Sequence, residues 1–185
     1  MKTAVVLDAL NKMETGSVLV NLLKEHGFSV ERYRLPDLDI RPCRSCGSCG
    51  EQTPGRCVQK DDMEPVFRAI AKSEMLVFLS RISFGMYSSQ MKKAVDRLMA
   101  IGYPLYTMKK GHILHPMRYE GKTLFIIGMA EDGIVEGEED NFRLLAERNS
   151  LNFQYPYRLV VLHPGDDLEA MLRETLTAPE KAVPY

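Results

Sequence analysis

The chain lacks an excess of either charge, an apolar run of membrane length, and any cysteine outside one short stretch. Lys and Arg number 24 against 25 Asp and Glu, a formal net charge of −1, so no overall field draws the chain to nucleic acid. No segment approaches the roughly 20 apolar residues of a spanning helix. In "MKTAVVLDAL" Asp8 interrupts the opening apolar run too early for a secretory h-region. The expectation is a cytoplasmic protein without a nucleic-acid or membrane partner. Internal repeats, low-complexity tracts and linkers are also missing, and 185 residues suit a single domain over residues 1–185. No arrangement of acid, base and nucleophile stands out, which leaves hydrolase and transferase chemistry without support.

What is present is an alternation of strands and helices. "TAVVLD" (3–8) has the β-branched content of a buried parallel strand with a carboxylate at its end. "GSVLVNLLKEHG" follows with helical spacing, Ser17 as N-cap and Gly27 as stop. "FSVERYRL" alternates as a second strand. "DDMEPVFRAIAKS" reads as a helix opened by an Asp61–Glu64 capping box. "EMLVFLS" (74–80), "KTLFIIGM" and "YRLVVLH" supply three more strands, each followed by an amphipathic helix. Five strands alternating with helices predict an α/β doubly wound parallel sheet of order 2-1-3-4-5, with functional loops at the strands' carboxyl ends. Residues 101–121 read as a long irregular connection.

All four cysteines lie in "RPCRSCGSCGEQTPGRC" (41–57), spaced C-x2-C-x2-C-x7-C. In a reducing compartment such clustering indicates metal or redox chemistry more than structural disulfides. Three cysteines at x2 intervals let one turn-rich loop wrap a cubane, with a distant fourth closing the site; Gly47, Gly50 and Gly55 relieve the backbone. Zinc usually takes two separate C-x2-C knuckles. An iron-sulfur site is preferred, with zinc, or cysteines that remain thiols or form a regulatory disulfide, as alternatives. His112 and His115 have a ligand spacing but no partners and read as surface residues.

Two stretches carry a family resemblance. "IRPCRSCGSCGEQTPGRCVQKDDM" (40–63) and "FGMYSSQMKKAVDRL" (84–98) resemble the cysteine loop, and the flavin-loop helix ending in Lys-x3-Asp-Arg, of the iron-sulfur flavoproteins. These belong to the NADPH-dependent FMN reductase branch of flavodoxin-like proteins. The resemblance implies a flavodoxin-like fold, with Cys43, Cys46, Cys49 and Cys57 holding a 4Fe-4S cluster near an FMN at a dimer interface. It also implies NAD(P)H as electron donor and a homodimer or homotetramer.

The flavin loops depart from the family pattern. "ALNKMETGS" (9–17) stands where the family has a Gly-Ser-Pro-Arg loop ending in Gly-Asn-Thr, and only its end is similar. There Thr15, Gly16 and Ser17 offer backbone and hydroxyl donors at a helix N-terminus, and Lys12 adds charge; an ordinary capped helix start is the competing reading. In "SRISFGMYSSQ" (80–90) Arg81 and Ser83 replace the family's Pro-x-Tyr. Phe84 or Tyr87 is expected to cover an isoalloxazine face, Gly85 to allow close backbone approach, and Arg81 to stabilise a reduced flavin. Against that, Phe84 can pack in the core and Arg81 cap a loop. In "MAEDGIVEGEED" (129–140) only Met129, Ala130 and Gly133 are placed near the ring, because the acidic run repels phosphate.

The sequence therefore predicts an FMN-dependent oxidoreductase or electron-transfer protein, exchanging electrons with small-molecule or protein donors and acceptors through a Cys-ligated cluster. The alternatives are an NAD(P)H-dependent FMN or quinone reductase without a cluster, and a non-enzymatic metal or thiol redox sensor.

Overall fold

A computed structural model describes residues 2–185. In chain order its elements are β1 (Lys2–Asp8), α1 (Glu14–Glu25), β2 (Phe28–Arg34), α2 (Ser48–Glu51), α3 (Met63–Lys72), β3 (Met75–Ser83), β4 (Met86–Tyr87), α4 (Ser89–Arg97), β5 (Thr107–Lys109), β6 (His112–Leu114), β7 (Thr123–Met129), α5 (Glu138–Phe153), β8 (Tyr157–Leu162) and α6 (Leu168–Thr177). Five strands pair in parallel in the order β2-β1-β3-β7-β8, with β4 folded back antiparallel on the end of β3. This is the predicted 2-1-3-4-5 order of a flavodoxin-like doubly wound sheet.

Strand alternation divides the core into two faces. Ala4 and Val6 of β1 and Val77 and Leu79 of β3 point to one side, against Leu19, Leu22 and Leu23 of α1 and Leu172 of α6. Val5, Leu7, Leu76 and Phe78 point to the other, against Met63 and Val66 of α3, Met91 and Ala94 of α4 and Phe142 and Ala146 of α5. Because both faces are covered there, β1, β3 and β7 are continuous apolar runs, whereas edge strand β2 is FSVERYR. Leu35 and Ile40 join the second face, so the chain leaving β2 enters the cysteine stretch along the α3–α4 side.

Three local expectations are corrected. Helix α1 begins at Glu14, with Met13 as an N-cap that offers no side-chain bond. Ser17 lies inside its first turn, where its hydroxyl donates to the Met13 carbonyl at 2.9 Å. The Asp61–Glu64 capping box does not form: α3 starts at Met63, Glu64 pairs with Arg68, and Asp61 is taken by Arg97. Finally, the connection 101–121 contains the β5–β6 hairpin, and below it Gly102 pairs antiparallel with Met117. Strands of three residues are too short for period-2 patterning to reveal.

Candidate functional site

The loops after β1, β3 and β7 leave the same edge of the sheet. Asp8 stands opposite Leu79, and Leu79 opposite Ile127; this carboxyl edge is where open α/β sheets bind ligands. Behind the first loop, Asp8 is fully buried and paired with Arg32 at 2.6 Å. Asp8 also accepts from the Leu10 amide at 2.9 Å, while Arg32 reaches the Met13 carbonyl and the Ser17 hydroxyl, both at 3.0 Å. Gly16 is packed on this pair: a Cβ there would lie 2.4 Å from both Arg32 Nη2 and Asp8 Oδ2.

This arrangement revises the roles expected of residues 12–17. The Ser17 hydroxyl is committed to Met13 and Arg32, which removes it as a phosphate donor. Gly16 makes room for a guanidinium. The first intrahelical bond runs from the Ser17 amide to the Met13 carbonyl, so the amides of Glu14, Thr15 and Gly16 precede the helical ladder and have no capping side chain. Exposed Lys12 stands just before them. An uncapped start of a twelve-residue helix at the carboxyl edge, with a cation adjacent, is chemically suited to an anion.

The loop after β3 is a tight reversal. Ser83 belongs to β3 and pairs with Met86 of β4. Phe84 and Gly85 form the turn with φ of 52° and 70°, and Phe84 is 90% exposed, a bare ring at the tip rather than core packing. Gly85 does allow a close approach, but to α5: a Cβ would stand 2.7 Å from Cβ of Asn141. Tyr87 is corrected outright. It is buried, packs edge-on against Phe78 and Phe142, and accepts a bond from Asn149 at 2.8 Å, so it has no free face for a flavin. Burial raises its hydroxyl pKa far above the ordinary range. Arg81 pairs with Glu131 at 3.0 Å, which joins the β3 and β7 loops and partly occupies the charge expected to face a reduced ring. Ala130 is buried with its amide donating to the Leu162 carbonyl, Met129 is half-buried, and Gly133 is exposed at φ 90°.

The cysteine stretch closes at its base. The Asp39 amide bonds Asp62 Oδ2 at 2.8 Å, the Arg41 amide bonds Asp61 Oδ2 at 3.0 Å, and Asp62 N returns to the Asp39 carbonyl at 3.1 Å. Arg97 of α4 locks this base, with Nη1 to Asp61 Oδ2 at 2.7 Å, Nη2 to Oδ1 at 3.1 Å and a further bond to the Arg41 carbonyl. Both side chains are essentially inaccessible. Burial alone would raise the Asp61 pKa, but Arg97 and the two amides hold it below the usual carboxylate range.

Inside the loop all four cysteines are free thiols; Cys46 is exposed and the others half-buried. Ser45 and Gly47 adopt left-handed φ of 51° and 71°. The first turns its amide onto Cys43 Sγ at 3.4 Å and the second opens α2. Bonds from the Ser48 side chain and amide lower the Cys46 pKa. Burial, followed by the charges of Cys57, Cys43 and Cys46, raises that of Cys49, so Cys49 lies within electrostatic reach of the other three. An amide aimed at sulfur and a four-thiol set fit a metal-sulfur centre. Among the described residues no three Cys, His, Asp or Glu side chains are already gathered for a metal ion, and ligation requires the loop to tighten. Cys43 and Cys49 line a cavity of about 780 Å³ with Tyr103 and Tyr106, while Cys57 and Arg97 line one of about 520 Å³.

The fold and this edge define the class, a flavodoxin-like α/β protein with an uncapped helix start and a thiol-bearing loop. A family model described as NADPH-dependent FMN reductase matches residues 4–156, and the chain belongs to that family. An iron-sulfur flavoprotein of Archaeoglobus fulgidus is 29% identical over 107 residues, 56% of this chain and 48% of that protein. One from Methanosarcina thermophila is 24% identical over 90 residues, 49% and 46% of the respective chains. The chain thus spans about half the length of the curated relatives it matches. Among solved structures, a putative quinone reductase from Klebsiella pneumoniae superposes with a TM-score of 0.75 at 13% identity, covering 100% of this chain and 88% of that one. An FMN-dependent NADH-azoreductase from Bacillus anthracis in complex with FMN gives 0.64 at 13% identity, over 95% and 93%. At these identities the likeness is one of fold.

Proposed function

We propose that the protein is an FMN-dependent oxidoreductase or electron-transfer protein in which Cys43, Cys46, Cys49 and Cys57 ligate a 4Fe-4S cluster. The observation that carries the flavin half is the uncapped α1 start at the carboxyl edge of a sheet that belongs to the FMN reductase family. Amides of Glu14, Thr15 and Gly16, with Lys12, would hold the phosphate. Phe84 would cover the ring, with Met129, Ala130 and Gly133 along its edge and Arg81, shared with Glu131, near developing negative charge. Bound FMN supplies two-electron acceptance and one-electron release; the chain's task is to bind, orient and exclude water. NAD(P)H as donor, a small-molecule or protein acceptor and a homo-oligomeric assembly are part of the same reading. The iron-sulfur flavoprotein relatives and the thiol loop, with its Ser45 amide directed at the Cys43 sulfur, support the cluster.

The test is anaerobic purification followed by an absorption spectrum and quantification of flavin, iron, acid-labile sulfide and zinc. Expected are FMN, iron with sulfide, and broad visible absorption bleached by dithionite. Cys46→Ser is expected to abolish cluster assembly and leave FMN bound. Flavin without iron identifies the cluster-free NAD(P)H-dependent FMN or quinone reductase, a reading favoured by sulfurs that are not yet gathered. Stoichiometric zinc, or four thiols with neither flavin nor iron, identifies a metal or redox sensor.

A further inference from the structure

Arg97 is 3% exposed, and three donor bonds from its two terminal nitrogens go to Asp61 and Arg41. Its Nε is left buried without a partner. A charged donor in that state is costly to leave unsatisfied. The cavity of about 520 Å³ beside it is lined by both Cys57 and Arg97, and Cys57 is among the groups acting on the guanidinium, behind burial and Asp61. Cys57 is also the cysteine set apart, eight positions beyond Cys49. The turn that brings the Ser45 amide onto Cys43 ends before it.

We infer that Arg97 is a positioning residue for the thiol loop, its Nε–H donating to the sulfur of Cys57 and fixing that side chain over the base of the loop. The Asp61 carboxylate aims the fork, and the remaining N–H meets sulfur as the loop tightens. In a cluster-bearing protein, a fixed positive donor on one ligand favours the more negative, reduced state, so it raises the reduction potential. The redox consequence rests on the cluster reading of the function; the hydrogen bond does not.

The experiment separates the two. Anaerobically prepared protein is assayed for iron. If iron and sulfide are present, midpoint potentials are compared for the wild type, Arg97→Lys and the double variant Arg97→Gln/Asp61→Asn, which leaves no unpaired buried charge. The double variant is expected to need at least a tenfold higher ratio of reduced to oxidised mediator, 59 mV for one electron. Arg97→Lys should fall between, with FMN content unchanged in both. An unmoved potential overturns the inference, and if the double variant does not fold, Arg97→Lys alone carries the comparison. If iron is absent, the cluster reading fails and the bond is read directly by ¹⁵N NMR. Exchange of the Arg97 Nε–H should quicken at least tenfold in Cys57→Ala and stay put in Cys46→Ala. Gln59, whose Oε1 is the other unpartnered buried atom lining the same cavity, supplies the decisive control: a response to Gln59→Leu and none to Cys57→Ala overturns the inference.

Discussion

At Gly16 a single methyl group decides whether the first helix can start where it does. An added Cβ would stand 2.4 Å from the buried Asp8–Arg32 pair, so Gly16→Ala is expected to displace Arg32 and cost about 1–3 kcal/mol, read as a lower urea midpoint with an unchanged slope. Asp61 makes a second residue-scale prediction. Its carboxyl is held below the ordinary value near 3.9, so the native state binds fewer protons than the unfolded chain in that range. The pair's contribution is complete above about pH 4 and is lost as pH falls through the lower native value. Asp61→Asn should cost about 3–5 kcal/mol near neutrality, because it strands a buried Arg97. It should also flatten the acid limb of stability measured by urea unfolding between pH 7 and 3. Neither pair is legible in the chain: Asp8 and Arg32 are 24 residues apart, Asp61 and Arg97 36 apart, and each residue alone reads as a strand end, a solvated strand position, a cap or a helix terminus. The cysteines stand out in the chain because their spacing is itself the signal, while among the described residues they are not gathered around a metal site.

The elements that sequence periodicity recovers are those whose burial repeats. β1, β3 and β7 are buried on both faces, and the helices packed on them carry apolar stripes. Helix starts are harder to read because the polar residues that resemble caps have other partners: Ser17 bonds Met13 and Arg32, and Asp61 divides its carboxylate between the Met63 amide, the Arg41 amide and Arg97. The β5–β6 hairpin was invisible for a different reason: it pairs only with itself and exposes Tyr106, Met108 and Ile113, so no core demand shapes its pattern. Its base already has hairpin form, with Tyr103 N bonded to the Pro116 carbonyl at 2.8 Å. Replacing Pro104–His115 with Asn-Gly is therefore expected to preserve the far-UV CD spectrum and the FMN content. The loss of buried Leu114 should lower the melting midpoint by about 4–8 °C, roughly 2 kcal/mol for a chain of this size.

For the molecule as a whole, flavin and stability are linked. If the uncapped α1 start recognises phosphate, FMN at about 100 times its Kd should add roughly 2.7 kcal/mol to the native state. This would appear as a higher melting midpoint by differential scanning calorimetry. Riboflavin, which lacks the phosphate, should add less, and Lys12→Ala should narrow the gap between the two ligands. Equal shifts for FMN and riboflavin would place recognition elsewhere on the edge.

The closed base of the thiol loop carries one more consequence. The bonds of residues 39 and 41 to 61 and 62, locked from α4 by Arg97, make the chain between them an interchangeable part. Whatever happens between positions 42 and 60 is mechanically insulated from the sheet. Loading or stripping a metal should alter amide hydrogen exchange within that span and leave β1, β3 and β7 as protected as before. A designer could then exchange the intervening residues for a different ligand set, or a plain turn, and still recover the same flavodoxin-like body.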